Sequence, residues 1–136
     1  MSASGSVPPL DDAPLLERAV RAIQETGILM DYEALAADVA LLAAAFPDTY
    51  VFCSAVANTV KAISDVMGDR VTHNRLRREL SGWDSYHYQH IRTNNQEADM
   101  RLVYRRIRDR IEVAAFGHRF VPRDIYGRVL ESMAEL

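Results

Sequence analysis

The spacing of apolar residues changes once along this chain, and that change limits the folds it can adopt. Up to about residue 68, apolar residues recur at helical spacing. After Gly82 the pattern becomes short runs of aromatic and branched residues separated by polar turns. Helices followed by a run of strands are typical of an α+β fold. We therefore expect N-terminal α-helices packed on an antiparallel sheet of three to four strands, in one compact domain of 136 residues.

The first half of the chain is predicted to be helical. Residues 1–12 are small, polar and proline-bearing, and we expect them to be a disordered lead-in to a helical segment at 13–68. Gly27 is a typical helix end and Asp31 a typical N-cap. The three predicted helices cover residues 13–27, 31–46 and 48–68.

The second half, residues 69–136, is predicted to carry the sheet. Its first stretch, "RVTHNRLRREL" (70–80), indicates a short basic helix. Three strand-like runs follow, separated by "TNNQEAD" and "RD". The predicted strands are "SYHYQHIR" (85–92), "MRLVYRRI" (100–107) and "RIEVAAF" (110–116).

Charge is divided unevenly between the two halves. Residues 1–67 hold three basic and nine acidic residues, whereas residues 68–136 hold thirteen arginines, ten acidic residues and all four histidines. An arginine-rich half is compatible with a polyanionic partner, and solvated surface is the alternative explanation. The acidic helices are expected to be either a built-in cover for the cationic face or a scaffold that extends the core or forms a homodimer interface.

Strand alternation groups several polar side chains. Tyr86, Tyr88, His90 and Arg92 would share one face of the first predicted strand. If the polar faces of the strands coincide, cationic, imidazole and phenol groups converge on one concave side. The predicted set is Tyr88, His90, Arg92, Arg101, His118 and Arg119, with Tyr126 reaching in from the tail.

Four segments in this region resemble one protein family. "LSGWDSYHYQHIR", "MRLVYRR", "RIEVAAFGHR" and "DIYGRV" follow the order and spacing of the RelE/ParE superfamily of bacterial toxins, over about residues 76–129. RelE-like members cleave messenger RNA, typically on the ribosome and without metal, whereas ParE-like members poison DNA gyrase. A partner antitoxin silences both. The resemblance therefore implies a toxin of a type II toxin-antitoxin system with a RelE/ParE-like fold and a cognate antitoxin as partner.

The resemblance also implies roles for individual residues. Arg101, Arg119 and Tyr126 match positions that serve phosphate binding, transition-state stabilisation and contact with the flipped-out nucleotide. Tyr88 and His90 fall at two positions where lysine is common, so Tyr88 departs from the family and His90 replaces the charge only in part. The N-terminus departs as well, since the family usually begins with a strand. The side chains predicted to bind substrate are Tyr88, Arg92 and Arg123.

RNA cleavage through its own 2′-hydroxyl needs a proton acceptor and fixed positive charge. Histidine transfers protons near neutral pH, so His118 or His90 is the predicted proton-transfer residue. Arg101 and Arg119 would stabilise the phosphorane, and Tyr126 would be an aromatic contact or secondary acid. The leading prediction is a toxin-like, metal-independent endoribonuclease without a cofactor. The alternatives are a gyrase inhibitor and a non-toxic interaction protein on the same fold.

The sequence also bears on location. The longest apolar run, residues 34–46, is too short to cross a bilayer and contains Asp38. The N-terminus lacks the pattern of a secretory signal, and the single cysteine, Cys53, cannot form an internal disulfide. We therefore expect a cytoplasmic protein without a membrane partner.

Overall fold

A computed structural model describes residues 10–71 and 73–134 and confirms the predicted α+β class. The four helices are α1 (Ala13–Gln24), α2 (Tyr32–Ala45), α3 (Thr49–Met67) and α4 (Ile125–Ala134). The strands are β1 (Asn74–Arg75), β2 (Asp84–Tyr88), β3 (Met100–Ile107) and β4 (Arg110–His118). The strands form one antiparallel sheet in the order β1-β2-β3-β4. No helix in the described ranges is long and apolar enough to cross a membrane.

Aspartates start the first three helices. The side chains of Asp12, Asp31 and Asp48 each accept a hydrogen bond from the backbone N–H three residues further on, which satisfies a donor that the helix leaves free. The predicted disordered lead-in falls on residues 1–9, outside the described residues, and on residues 10–12, where Leu10 packs against the core.

The two faces of the sheet are covered by different helices. The larger core lies between α1, α2 and α3 and one face of the sheet. Its fully buried residues include Ile23, Leu35, Leu42, Phe52, Ile63, Met100, Leu102, Tyr104, Ile111 and Phe116. On the other face a smaller cluster packs under α4 and comprises Leu80, Val103, Ala115, Ile125 and Val129. Both halves of the chain therefore contribute to the larger core.

The predicted basic helix at residues 70–80 is wrong. Asn74 and Arg75 form β1, and a single 3-10 turn follows at Arg78–Leu80. The backbone of this stretch pairs with the start of β2, and the Leu76 N–H donates to the carbonyl of Trp83. Those pairings satisfy the backbone groups that a helix would otherwise satisfy internally.

The first predicted strand, residues 85–92, ends four residues early, at Tyr88. Side chains form hydrogen bonds with the backbone groups that would otherwise continue the strand. The His90 N–H donates to Asp99 Oδ1 at 3.0 Å, and the His90 carbonyl accepts from Ser54 Oγ at 3.1 Å and Asn58 Nδ2 at 2.8 Å. The alternation predicted to align Tyr88 with His90 and Arg92 therefore stops before His90.

A buried ion pair joins α2 to α4 beside the edge strand β4. Asp38 Oδ1 accepts from Arg128 Nη1 at 3.0 Å, and its Oδ2 accepts from the Phe116 N–H at 3.0 Å. Both side chains are buried. Burial raises the pKa of Asp38 to about 6, against the opposing effect of Arg128 and the Phe116 N–H. The pair fixes α4 relative to the helical layer.

Candidate active site

Three strand ends meet at one end of the sheet. β2 finishes there, β3 begins there and β4 finishes there, so that Tyr88, Met100 and His118 lie side by side. The chain leaves this end through residues 89–99 and 119–124. We call the polar group gathered here the strand-end cluster, which consists of His90, Asp99, Arg101 and His118.

His90 and Asp99 form a close pair in the strand-end cluster. His90 Nδ1 lies 2.5 Å from Asp99 Oδ2, and the His90 side chain is 26% exposed. Because a carboxylate only accepts, His90 Nδ1 carries the proton of a neutral ring and Nε2 keeps its lone pair. The ring also stacks on Phe46 with the centroids 4.3 Å apart. A carboxylate that fixes the tautomer and orientation of a half-exposed imidazole prepares it to accept a proton.

His118 has the opposite proton arrangement. Its Nδ1 accepts the N–H groups of Phe120 at 3.0 Å and Val121 at 2.9 Å, so the proton of the neutral ring is on Nε2. Burial lowers the pKa of His118 most; Asp99 acts to raise it, and His90 and Arg101 lower it further. A neutral ring keeps Nδ1 as the acceptor that closes this turn. His118 thus presents an N–H donor, and Phe46 contacts both imidazoles, with its ring centroid 4.3 Å from that of His90 and 5.9 Å from that of His118.

Arg101 is the cation of the strand-end cluster. Its Nη1 donates to the carbonyls of Ala98 at 2.8 Å and Met100 at 2.9 Å, which holds the guanidinium at the start of β3. Its Nε is buried and has no hydrogen-bond partner among the described residues. Across the sheet Arg101 pairs with His87, whose pKa is lowered by burial first and then by the charges of Arg101 and Arg119.

Arg119 and Tyr126 lie together on the α4 side of the sheet. The Arg119 guanidinium sits 4.5 Å from the ring centroid of Phe120 and 4.4 Å from that of Tyr126, and it forms an ion pair with Asp124. The Tyr126 hydroxyl hydrogen-bonds to Ser85 Oγ at 2.7 Å. Both side chains are therefore engaged in holding the turn that follows β4.

The structure separates the three residues predicted to bind substrate. Tyr88 is buried in the core, with its hydroxyl 2.8 Å from Thr59 Oγ1, so it has no surface to offer a substrate. Arg92 is exposed in the segment after β2. Arg123 is exposed and pairs with Glu131 of α4 at 2.6 Å. The predicted single concave surface is thus divided: His90 and His118 contact Phe46 on the helix side, whereas Arg101, beside His87, starts on the α4 side with Arg119 and Tyr126.

Three residues of this region were not among the predicted site residues. Asp99 fell in a predicted loop, where a lone acid carries no signal of its own. Phe46 is far from the other residues in sequence, and only the tertiary fold brings it to them. His87 had a usable signal, because Tyr86 and Tyr88 mark the buried face of β2 and alternation then places His87 opposite them, beside Arg101.

Neither a metal site nor a relative identifies this cluster. Among residues 10–71 and 73–134, no group of three or more histidine, cysteine or acidic side chains has the arrangement of a metal site. Comparisons of the chain with protein-family models, with curated proteins and with solved structures find no match. The case for a function therefore depends on the side chains described above.

Proposed function

We propose that the protein is a toxin-like endoribonuclease that cleaves RNA by acid/base chemistry at the strand-end cluster. The observation that carries the proposal is the complementary state of the two histidines. His90 offers a free Nε2 lone pair because Asp99 holds its other nitrogen, and His118 offers an Nε2–H because backbone donors occupy its other nitrogen.

These groups suit cleavage through the 2′-hydroxyl of RNA. His90 Nε2 takes the proton of the 2′-hydroxyl, whose oxygen attacks the phosphorus while the bond to the 5′-oxygen breaks. The departing oxygen, hydrogen-bonded to the His118 Nε2–H, takes a proton from water, and the hydroxide that this leaves takes the proton that His90 accepted. The products are a 2′,3′-cyclic phosphate and a 5′-hydroxyl end.

Positive charge at the start of β3 supports the same chemistry. Arg101 lies close enough to His118 to lower its pKa, and its buried Nε has no partner among the described residues. A fixed guanidinium stabilises the charge that develops on the phosphorane. In this proposal Arg119, paired with Asp124 and stacked on Tyr126, fixes the turn after β4 and leaves the phosphate to Arg101.

The resemblance of residues 76–129 to the RelE/ParE superfamily supports this proposal. It adds a cognate antitoxin as partner and the ribosome as a setting for cleavage. The strand-end cluster itself favours a nuclease over a gyrase inhibitor, because one histidine offers a lone pair that can take a proton and the other offers an N–H that can stabilise a departing oxygen.

The test is cleavage of a single-stranded RNA by the purified protein in the presence of EDTA. We expect new 5′-hydroxyl ends, and none from the same RNA carrying 2′-deoxy nucleotides. His90→Gln and His118→Gln should each lower kcat by a factor of about 10² to 10⁴. His73→Gln is the matched control, because His73 bonds to Tyr104 and Asp69 away from the cluster, and it should cleave normally.

Two results would contradict the proposal. One is RNA cleavage that persists in the His90→Gln, His118→Gln double variant. The other is growth arrest on expression of the native chain with cellular RNA intact, which would move the gyrase inhibitor ahead.

A further inference from the structure

A polar cleft lies beside the strand-end cluster, between α3 and the segment that follows β2. Its volume is about 350 Å³. α3 forms one wall and the segment after β2 forms the other, and β2 itself lies between them. Its lining residues include Asn58, Lys61, Asp65, Tyr86, Arg92 and Gln96. We call it the α3 cleft.

The α3 cleft adjoins a second cleft, of about 400 Å³, that is lined by His90 and Asp99. The two clefts share Gln89, Thr93 and Gln96 as lining residues. The segment after β2 therefore forms part of both the α3 cleft and the surface around His90.

The walls of the α3 cleft are held in place. Gln89 Oε1 accepts the Thr93 N–H at 3.1 Å and its Nε2 donates to the Gln96 carbonyl at 2.9 Å, which closes the segment into a fixed turn. Asn58 Nδ2 donates to the His90 carbonyl at 2.8 Å. The same side chain thus belongs to the cleft wall and fixes the candidate base, so the two sites keep a constant spacing.

The chemistry of the α3 cleft suits an unpaired nucleotide. Tyr86 supplies an aromatic ring that is partly buried and stacks on the Tyr88 ring with the centroids 6.0 Å apart. Arg92 is an exposed cation that forms no ion pair with the described residues. Lys61 adds a second cation, although Asp65 pairs with it at 2.8 Å. Aromatic rings and arginine planes stack on bases, and arginine also binds phosphate, which is how proteins hold single-stranded RNA.

We infer that the α3 cleft binds one unpaired base of the RNA, that of the nucleotide next to the cleaved phosphodiester. The inference rests on the proposed function for the position of the cleaved bond. In this inference Tyr86 stacks on the base and Arg92 also contacts the base. An acidic peptide lying along β2 is the competing occupant, but the aromatic, cationic and amide side chains that line the cleft match a nucleotide better.

The experiment is a scan of a short RNA substrate with one abasic nucleotide at each position around the cleavage site. For the native protein, one position should stand out, with KM raised about tenfold and kcat little changed, because a stacked base contributes to binding. Arg92→Gln should raise KM on the intact RNA by about the same factor. On the abasic RNA, Arg92→Gln should raise KM little further, since the base that Arg92 contacts is already missing.

The control is Arg108→Gln. Arg108 is exposed in the turn between β3 and β4, at the other end of the sheet, so its removal changes the net charge equally. It should leave KM within twofold of the native value. Tyr86→Leu, compared with Tyr86→Phe, then separates loss of the ring from loss of the hydroxyl.

The outcomes separate this inference from the proposed function. If the native protein cleaves RNA and every abasic substrate behaves alike, the α3 cleft inference fails and the nuclease stands. If nothing is cleaved but binding of the RNA weakens with Arg92→Gln and with one abasic position, the nuclease fails and only base binding by the α3 cleft stands. An Arg92→Gln variant that binds RNA normally and loses an acidic peptide would overturn the inference in favour of a peptide site.

Discussion

The two ends of the sheet are both rich in cationic side chains, yet they use them differently. At the end where β3 turns into β4, Arg106 Nη2 donates to the Val66 carbonyl of α3 at 2.6 Å, and Arg110 Nη2 donates to the Gly27 carbonyl after α1 at 2.7 Å. Arg105 pairs with Glu112 at 2.6 Å. At the opposite end, Arg101 Nη1 donates to the carbonyls of Ala98 and Met100, and its charge lies close enough to His87 and His118 to lower the pKa of both.

This difference shows that the number of charges does not locate a site, whereas the partner of each charge does. The arginines of the turn satisfy carbonyl groups at helix ends, where positive charge is stabilising. The strand-end cluster instead combines one arginine with two imidazoles whose ring protons are on different nitrogens, Nδ1 in His90 and Nε2 in His118. We expect the strand-end cluster to carry out the reaction and the arginines of the β3–β4 turn to stabilise the fold.

The largest expected effect comes from removing one carboxylate from each end of the sheet. Asp99→Asn should lower RNA cleavage about a thousandfold, because the amide donates to His90 Nδ1 and moves the proton of the ring to Nε2. Asp109→Asn, in the turn between β3 and β4, should cleave at the native rate. Equal kcat values for the two variants would contradict the assignment of His90 as base.

The second-largest expected effect is on the free energy of unfolding, through the buried ion pair between α2 and α4. Asp38→Ala leaves Arg128 buried without its partner and should lower the free energy of unfolding by about 3 to 5 kcal/mol, measured in urea at pH 7.5, where Asp38 is ionised. Asp109→Ala is the exposed control and should change it by less than about 0.5 kcal/mol. A cost below about 1 kcal/mol for Asp38→Ala would mean that α4 is held by other contacts.

The smallest expected effect concerns the turn between β3 and β4. Arg106→Gln removes a charged donor from the C-terminal end of α3 and should lower the free energy of unfolding by about 1 kcal/mol. Cleavage by the folded protein should be unchanged. A loss of kcat without a loss of stability would mean that the turn takes part in the reaction.

The helical and strand patterns predicted much of the fold from the sequence. The three N-terminal helices and the cores of β3 and β4 follow their apolar spacing, and Asp31 caps a helix as predicted. Residues 70–80 were misassigned because a basic stretch with few apolar residues has no face that packing can select. Their structure is decided by pairing with β2, which is a tertiary contact.

The site was less accessible to sequence reasoning. His90, Arg101 and His118 were expected to be near one another, and their charges are close enough to shift the pKa of His118. The hydrogen-bonding and stacking partners of these residues were not predicted, because only the tertiary fold brings them close. Asp99 ends β2 early by binding the His90 N–H, and that one hydrogen bond changes which side chains share a face.

The acidic half of the chain supplies the frame of the candidate base. Phe46 stacks on the His90 ring, and Ser54 and Asn58 hold its backbone carbonyl. A fragment of residues 69–136 would keep every residue that carries the family resemblance but lose the surroundings that orient His90. The strand-end cluster is consequently not a transferable module, and grafting it onto another scaffold requires the contacts of α2 and α3 as well.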